Sequence, residues 1–137
     1  MNILRFSPEA RLPTRAHPDD AGLDLYGLED MILAPGEGRP LRTGIGIALP
    51  PGFMGMVADR SSMGKRGLKT AGGIIDSGYR GEVHVILWNV SKDEVRIKAG
   101  ERIAQLLIFP IAHPVPIEVT QFEETARGAK GFGSTGA

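Results

Sequence analysis

Leu41-Arg42-Thr43-Gly44-Ile45-Gly46-Ile47-Ala48-Leu49 places Thr43, Ile45, Ile47 and Leu49 on one face at a period of two, the spacing of a half-buried β-strand. Val83, Val85 and Leu87 repeat the pattern. Outward from these two segments, 19 glycines and 10 prolines interrupt the chain. Only 82–99 and 117–127 escape both for more than about ten residues, so long helices are nearly excluded. Short β-type runs fill the intervals: Ile3–Phe6, Leu23–Tyr26, Met31–Leu33, Leu41–Leu49, Phe53–Ala58, Glu82–Asn89, Val95–Ile97, Arg102–Phe109 and Val115–Val119. Many short strands separated by turn signals predict an all-β sandwich or barrel. A single helical turn is expected near Ser61 or Ser62, capped by a hydroxyl.

The 137 residues are enough for one domain that buries about two-thirds of the surface of its unfolded chain. Sixteen basic residues balance sixteen acidic ones, so the field that recruits a nucleic acid polymer or an anionic membrane is missing and any anionic ligand must be held locally. The absence of cysteine excludes disulfides, thiolate nucleophiles and cysteine-ligated zinc. Met1 to Pro13 has no apolar core with a cleavage site, and Ile103 to Ile111 is too short to span a bilayer, so a soluble, cytoplasmic protein is expected. The organisation predicted is a β-domain over 1–124 followed by a detached glycine-rich arm over 125–137.

That arm contains Arg127-Gly128-Ala129-Lys130-Gly131-Phe132-Gly133-Ser134-Thr135-Gly136. Gly131 to Gly136 fits the spacing of a dinucleotide-binding loop, but that loop needs a strand before it and a helix after it, and no helix is expected after it here. Two cations, two hydroxyls, unhindered backbone N–H groups and one ring instead suit an arm that closes over a nucleotide. Phe132 and Arg127 weigh against a purely solvating tail.

Four internal segments carry further chemistry, each with a structural alternative. In Ala21-Gly22-Leu23-Asp24-Leu25, Asp24 points opposite to its apolar neighbours and is either a ligand contact or an outward turn carboxylate. Asp59-Arg60-Ser61-Ser62-Met63-Gly64 follows an apolar strand and opens the expected helix, where N–H groups and hydroxyls receive an anion or merely cap the helix. Gly72 to Glu82 reads as a hairpin in which paired glycines let a ligand approach the backbone and Asp76 ends an apolar strand, although Asp-Ser-Gly is also ordinary turn chemistry. In Gly100 to Leu107, strict alternation puts Gln105 on the face of Ile103 and Leu107, as a buried bridge or a ligand contact.

In this order and spacing, the four segments and the arm closely resemble the five motifs of the homotrimeric dUTP diphosphatases, from Ala21 onward. The resemblance implies a jelly-roll-like β barrel, a homotrimer with active sites at subunit interfaces, and an arm from one chain closing a site built by the other two. It implies hydrolysis of dUTP to dUMP and pyrophosphate by attack of water on the α-phosphorus, which limits uracil entry into DNA and supplies dUMP for dTMP synthesis. Asp76 would orient the water and contact the 3′-hydroxyl, and Tyr79 would pack on deoxyribose. The backbone of Gly73, Ile74 and Ile75 would read uracil, and Arg60, Ser61, Ser62 and Gln105 would hold phosphate oxygens. Arg127, Gly133, Ser134 and Thr135 would clamp the outer phosphates, with Phe132 stacked on uracil. Asp24 would support, through water, a magnesium ion (Mg2+) held mainly by the triphosphate.

Three positions depart from the usual pattern of that family. Asp59 stands where proline is common and either binds metal or pairs with Arg60, Gly78 stands where an acid is common, and Lys130 replaces a glycine. The related dCTP deaminases share the Arg-Ser-Ser and Ile-Asp-x-Gly elements but need a glutamate where this chain has Ile86, which cannot move protons. A nucleotide-binding module without turnover is the other alternative, opposed by the presence of Asp76, Tyr79, Gln105 and the full arm.

Overall fold

A computed structural model describes residues 1–125 and Gly128. Among the described residues, eleven short strands and one five-residue helix follow in the order β1 (Asn2–Arg5), β2 (Leu23–Tyr26), β3 (Met31–Leu33), β4 (Gly38–Arg42), β5 (Ile45–Ala48), β6 (Phe53–Ala58), α1 (Ser61–Lys65), β7 (Leu68–Ala71), β8 (Ile74–Ile75), β9 (His84–Asn89), β10 (Val95–Ile97) and β11 (Arg102–Pro110). All pairings are antiparallel, in four small sheets ordered β1-β5, β10-β3, β2-β11-β6-β8 and β4-β9-β7. The result is all-β, as the strand pattern predicts, and jelly-roll-like, as the resemblance implies.

One core draws on every sheet: Leu25 and Leu106 from one, Leu41, Leu68 and Leu87 from another, with Leu33, Ile45 and Ile97 from the two pairs. Each is at most 2% exposed and gains about 1.5–3 kcal/mol from leaving water. The alternation along β9 is complete, with Val85, Leu87 and Asn89 buried and His84, Ile86 and Trp88 exposed. Asn89 is a core amide with full satisfaction. Its Nδ2 donates to the carbonyls of Leu33 (3.0 Å) and Asp93 (2.8 Å), and its Oδ1 accepts from the N–H (3.0 Å) and Oγ (2.7 Å) of Ser91. Among the described residues no buried side-chain polar atom lacks a partner.

Four of the expected strands, β2, β3, β6 and β10, have the predicted bounds. The Leu41–Leu49 run divides, because Gly44 takes a left-handed φ of 70° that sends β4 to pair with β9 and β5 to pair with β1. Strand β7 escaped the pattern, its four residues being mixed in polarity and hemmed by Gly67 and Gly72. Helix α1 begins where expected, but its N-cap is Arg60 and no side chain caps it; the Ser62 hydroxyl instead accepts from Arg60 Nη1 at 3.1 Å. Val115–Val119 forms no strand among the described residues, and Val115, Ile117 and Val119 are 82%, 81% and 55% exposed. Of the arm expected over 125–137, residues 126, 127 and 129–137 lie outside the described residues.

Candidate active site

Two cavities of similar size hold the described candidate residues except Ser62, which lines neither and accepts from Arg60 at 3.1 Å, and no residue lines both. The first, of about 270 Å³, is walled by Gly73, Ile74, Ile75, Asp76, Tyr79 and His84, with Val57, Glu82 and Val83 behind them. The second, of about 260 Å³, is walled by Asp24, Arg60, Ser61, Arg102 and Gln105, with Asp20 and Gly22 at its edge. A single chain thus brings Asp76 together with Tyr79, and separately Asp24 with Arg60, Ser61 and Gln105. It does not bring the two groups together.

The first cavity is built on the hairpin after β7. Gly73 has φ +97° and its carbonyl accepts from Val57 N–H at 2.8 Å; a Cβ there would lie 2.8 Å from the Val57 carbonyl oxygen, so no side chain fits. Its strand β8 pairs with β6 through Gly55↔Ile75 and Met56↔Ile74, which buries Ile75 and leaves Ile74 exposed. Asp76 follows directly, on the solvent side, and its carbonyl accepts the Tyr79 N–H at 3.0 Å to close the turn. The Tyr79 hydroxyl donates to the Glu82 carbonyl at 2.8 Å, which holds the ring against Gly81. Glu82 anchors the hairpin to the β4–β5 corner: Arg42 donates to both carboxylate oxygens (3.0–3.2 Å) and Gly44 N–H donates at 2.8 Å. Burial pushes the Glu82 carboxyl up, but the hydrogen bonds from Arg42 and Gly44 outweigh it, so the net shift is down.

In the second cavity, Asp24 lies between two guanidinium groups. Its Oδ1 is 2.7 Å from Arg60 Nε, and its Oδ2 accepts from Arg102 Nη1 at 3.2 Å. Arg60 also donates from Nη1 to the Arg102 carbonyl at 3.3 Å. Asp24 is therefore no idle turn carboxylate. Gln105 lies directly across from it in the β11–β2 register, and its Nε2 donates to the Asp59 carbonyl at 2.7 Å.

Two expectations need correction here. Gln105 does not share the core face with Ile103, because a β-bulge between Arg102 and Ala104 inserts one residue and reverses the alternation. Ile103 and Ala104 are both buried, and Arg102 and Gln105 line the same cavity. Asp59 does not pair with Arg60, whose guanidinium is engaged by Asp24. Its Oδ1 accepts from Thr70 N–H and Oγ1, both at 2.7 Å, and its Oδ2 pairs with Lys69. Sequence reasoning missed Arg102 as a cavity residue; the signal was an arginine three positions before Gln105, which only the bulge turns to the same side. Among the described residues no cluster of three or more metal-ligating side chains exists. The candidates Arg127, Phe132, Gly133, Ser134 and Thr135, with Lys130, lie outside the described residues.

The chain is 46% identical over 140 residues to a deoxyuridine 5′-triphosphate nucleotidohydrolase of Thermobifida fusca, across 99% of this chain and 78% of that protein. It is 42% identical to the corresponding protein of Cowpox virus, across 99% and 97%. A Staphylococcus bacteriophage 80alpha dUTPase solved with dUPNHPP superimposes with a TM-score of 0.93 at 32% identity, covering 99% of this chain and 98% of that one. A variant dUTPase from phage phi11 of S. aureus, solved with a structural Mg(II) ion, gives 0.84 at 27% identity over 90% and 98%. The dUTPase family model matches residues 8–136, and with these identities the chain belongs to the dUTPase family and is a dUTP diphosphatase.

Proposed function

We propose that this chain hydrolyses dUTP at sites assembled from separate subunits of a homotrimer, the hairpin cavity of one facing the arginine cavity of the next. The observation that carries this reading is the division of the site: Asp76 and Tyr79 occupy one cavity, and Arg60, Ser61 and Gln105 another that shares no residue with it. Unpartnered apolar surface supports the trimer. Ile86 and Trp88 project from β9, Val90 is exposed just after it, and Val115 and Ile117 stand almost fully exposed after β11.

Tyr79 packs on the deoxyribose, where its fixed ring leaves no room for a 2′-hydroxyl. Uracil sits against Gly73, Ile74 and Ile75. Because the Gly73 carbonyl already accepts from Val57, the base uses its remaining lone pair or the neighbouring peptide groups. Cytosine reverses the donor and acceptor at its Watson–Crick edge, and each unmatched buried group costs about 1–3 kcal/mol. Arg60, Ser61, Ser62 and Gln105 hold phosphate oxygens. Arg127, Gly133, Ser134 and Thr135 clamp the outer phosphates, and Phe132 stacks on the base.

Asp76 accepts a hydrogen bond from water and aims its oxygen at the α-phosphorus. The new P–O bond forms on that atom as the bond to the α–β bridging oxygen breaks, giving dUMP and pyrophosphate. Water is a weak nucleophile, and positioning of this kind is worth about 7–11 kcal/mol. The donor set fits a hard cation held mainly by the triphosphate: among the described residues no three ligating side chains cluster, so Asp24 would contact Mg2+ through water rather than form part of a protein cage. When bound, Mg2+ supplies charge neutralisation at the phosphates. The product serves dTMP synthesis, and removal of dUTP limits uracil in DNA; a cytoplasmic location accords with that role. No described helix is long and apolar enough to cross a membrane.

The test is complementation. Asp76→Asn and Arg60→Gln chains are expected to be inactive alone and to regain dUTP hydrolysis when refolded together, since mixed trimers rebuild sites with both native residues. Two inactive chains that stay inactive as a verified mixed oligomer would refute the shared site. Turnover in H2(18)O is expected to place the label in dUMP; label in pyrophosphate would refute attack at the α-phosphorus.

A further inference from the structure

We propose that Asp59 is the positioning residue of the phosphate half-site, holding the Arg60–Ser62 turn against β7 with its carboxylate while aiming the Gln105 amide with its backbone carbonyl. This rests on the assignment of Arg60, Ser61 and Gln105 to substrate phosphates.

Strands β6 and β7 belong to different sheets, and β8 pairs with β6 only at Gly55 and Met56. At its far end β6 keeps β11 as a neighbour, through Ala58↔Gln105, and then turns into α1. Asp59 sits at that turn. Its Oδ1 takes the place of a strand neighbour, accepting from the Thr70 backbone N–H and Oγ1 at 2.7 Å each, and its Oδ2 meets the Lys69 ammonium. Its carbonyl accepts Gln105 Nε2 at 2.7 Å. One residue therefore ties the first residue of the phosphate-binding turn, the cavity amide and the β4-β9-β7 sheet into one frame. The Thr70 bonds carry the function, because Lys69 is well exposed and its ion pair is screened. Without the carboxylate, Thr70 N–H loses its partner and the turn bearing Arg60 is free to shift.

Steady-state dUTP hydrolysis and thermal melts of the full chain test this with Asp59→Ala, Asp59→Asn, Thr70→Val, the Asp59→Ala/Thr70→Val double variant, and Asp76→Asn as reference. Asp59→Ala is expected to lose about tenfold or more in kcat/KM, since misplacement on the order of 1 Å costs up to about 100-fold. Asp59→Asn should restore activity to within about threefold, because its amide oxygen still accepts both Thr70 bonds. The double variant should be no worse than Asp59→Ala alone. A kcat/KM for Asp59→Ala within about twofold of the native chain, or losses that add in the double variant, overturns the proposal. So does a lower Tm with kcat and KM unchanged, which marks a merely structural residue. If Asp59→Ala does not fold, Thr70→Val decides: a fall of about threefold or more at native Tm supports the proposal, and an unchanged kcat/KM overturns it. An inactive Asp76→Asn beside an undiminished Asp59→Ala defeats this proposal alone, whereas an active Asp76→Asn defeats the site assignment and this proposal with it.

Discussion

A single methyl group at Gly22 should disable the proposed phosphate half-site while leaving the fold nearly intact. A Cβ built there falls 2.4 Å from Gln105 Oε1 and 3.1 Å from Gln105 Cβ, against about 3.4 Å for ordinary contact. The amide must therefore swing by about 1 Å, enough to stretch the 2.7 Å bond from its Nε2 to the Asp59 carbonyl beyond hydrogen-bonding range. Losing that bond costs about 1 kcal/mol of stability, or about 4 °C in Tm for a domain of this size. The same displacement moves the amide proposed to hold phosphate, and misplacements of that size cost up to about 100-fold in rate. The assay is kcat/KM for dUTP hydrolysis by Gly22→Ala alongside a thermal melt, with Gly78→Ala as control because nothing lies within 4 Å of a Cβ at Gly78. We expect a loss of about 10- to 100-fold for Gly22→Ala and native behaviour for Gly78→Ala. Native kcat/KM in Gly22→Ala would refute the placement of Gln105 in the site; equal losses in both variants would refute the steric reasoning.

Asn89→Ala strips the buried Leu33 carbonyl of its donor and leaves a cavity, so denaturant unfolding should show a loss of about 3 kcal/mol, and a loss below about 1 kcal/mol would contradict the network. The Glu82 carboxyl is lowered in the folded protein, so its stabilisation is complete above the ordinary glutamate range and is lost as pH falls through the lower folded value. Tm should accordingly drop in acid, and more shallowly for Glu82→Gln than for the native chain; parallel pH profiles would contradict the Arg42–Glu82 anchor. Asp76→Asn should retain binding of a non-hydrolysable dUTP analogue while losing nearly all turnover, as read by calorimetry beside a pyrophosphate assay. Deleting residues 127–137 should leave a folded trimer with little activity; a monomer by light scattering, or an undiminished rate, would count against the arm's role.

The strand class of this fold was legible in its sequence, because period-two alternation at Ile45, Ile47, Val83, Val85 and Leu87 reports burial on one face, and the frequent glycines and prolines forbid long helices. The motif segments were legible as a pattern of residue types near turns, but only the structure puts Asp76 in one cavity with Tyr79 and Asp24 in another with Arg60, Ser61 and Gln105. Tertiary structure decided everything that depends on which edge meets which. The left-handed Gly44 sends the two halves of one apolar run to different sheets, and the bulge at Ile103 turns Gln105 from the core into the cavity beside Arg102. Asp59, equally able in sequence terms to bind metal or pair with Arg60, is claimed by Thr70 and Lys69 because those groups reach it across the sheet boundary. Local pattern fixes the direction of a side chain relative to its own strand; its partner is set by long-range pairing, which no short window of residues contains.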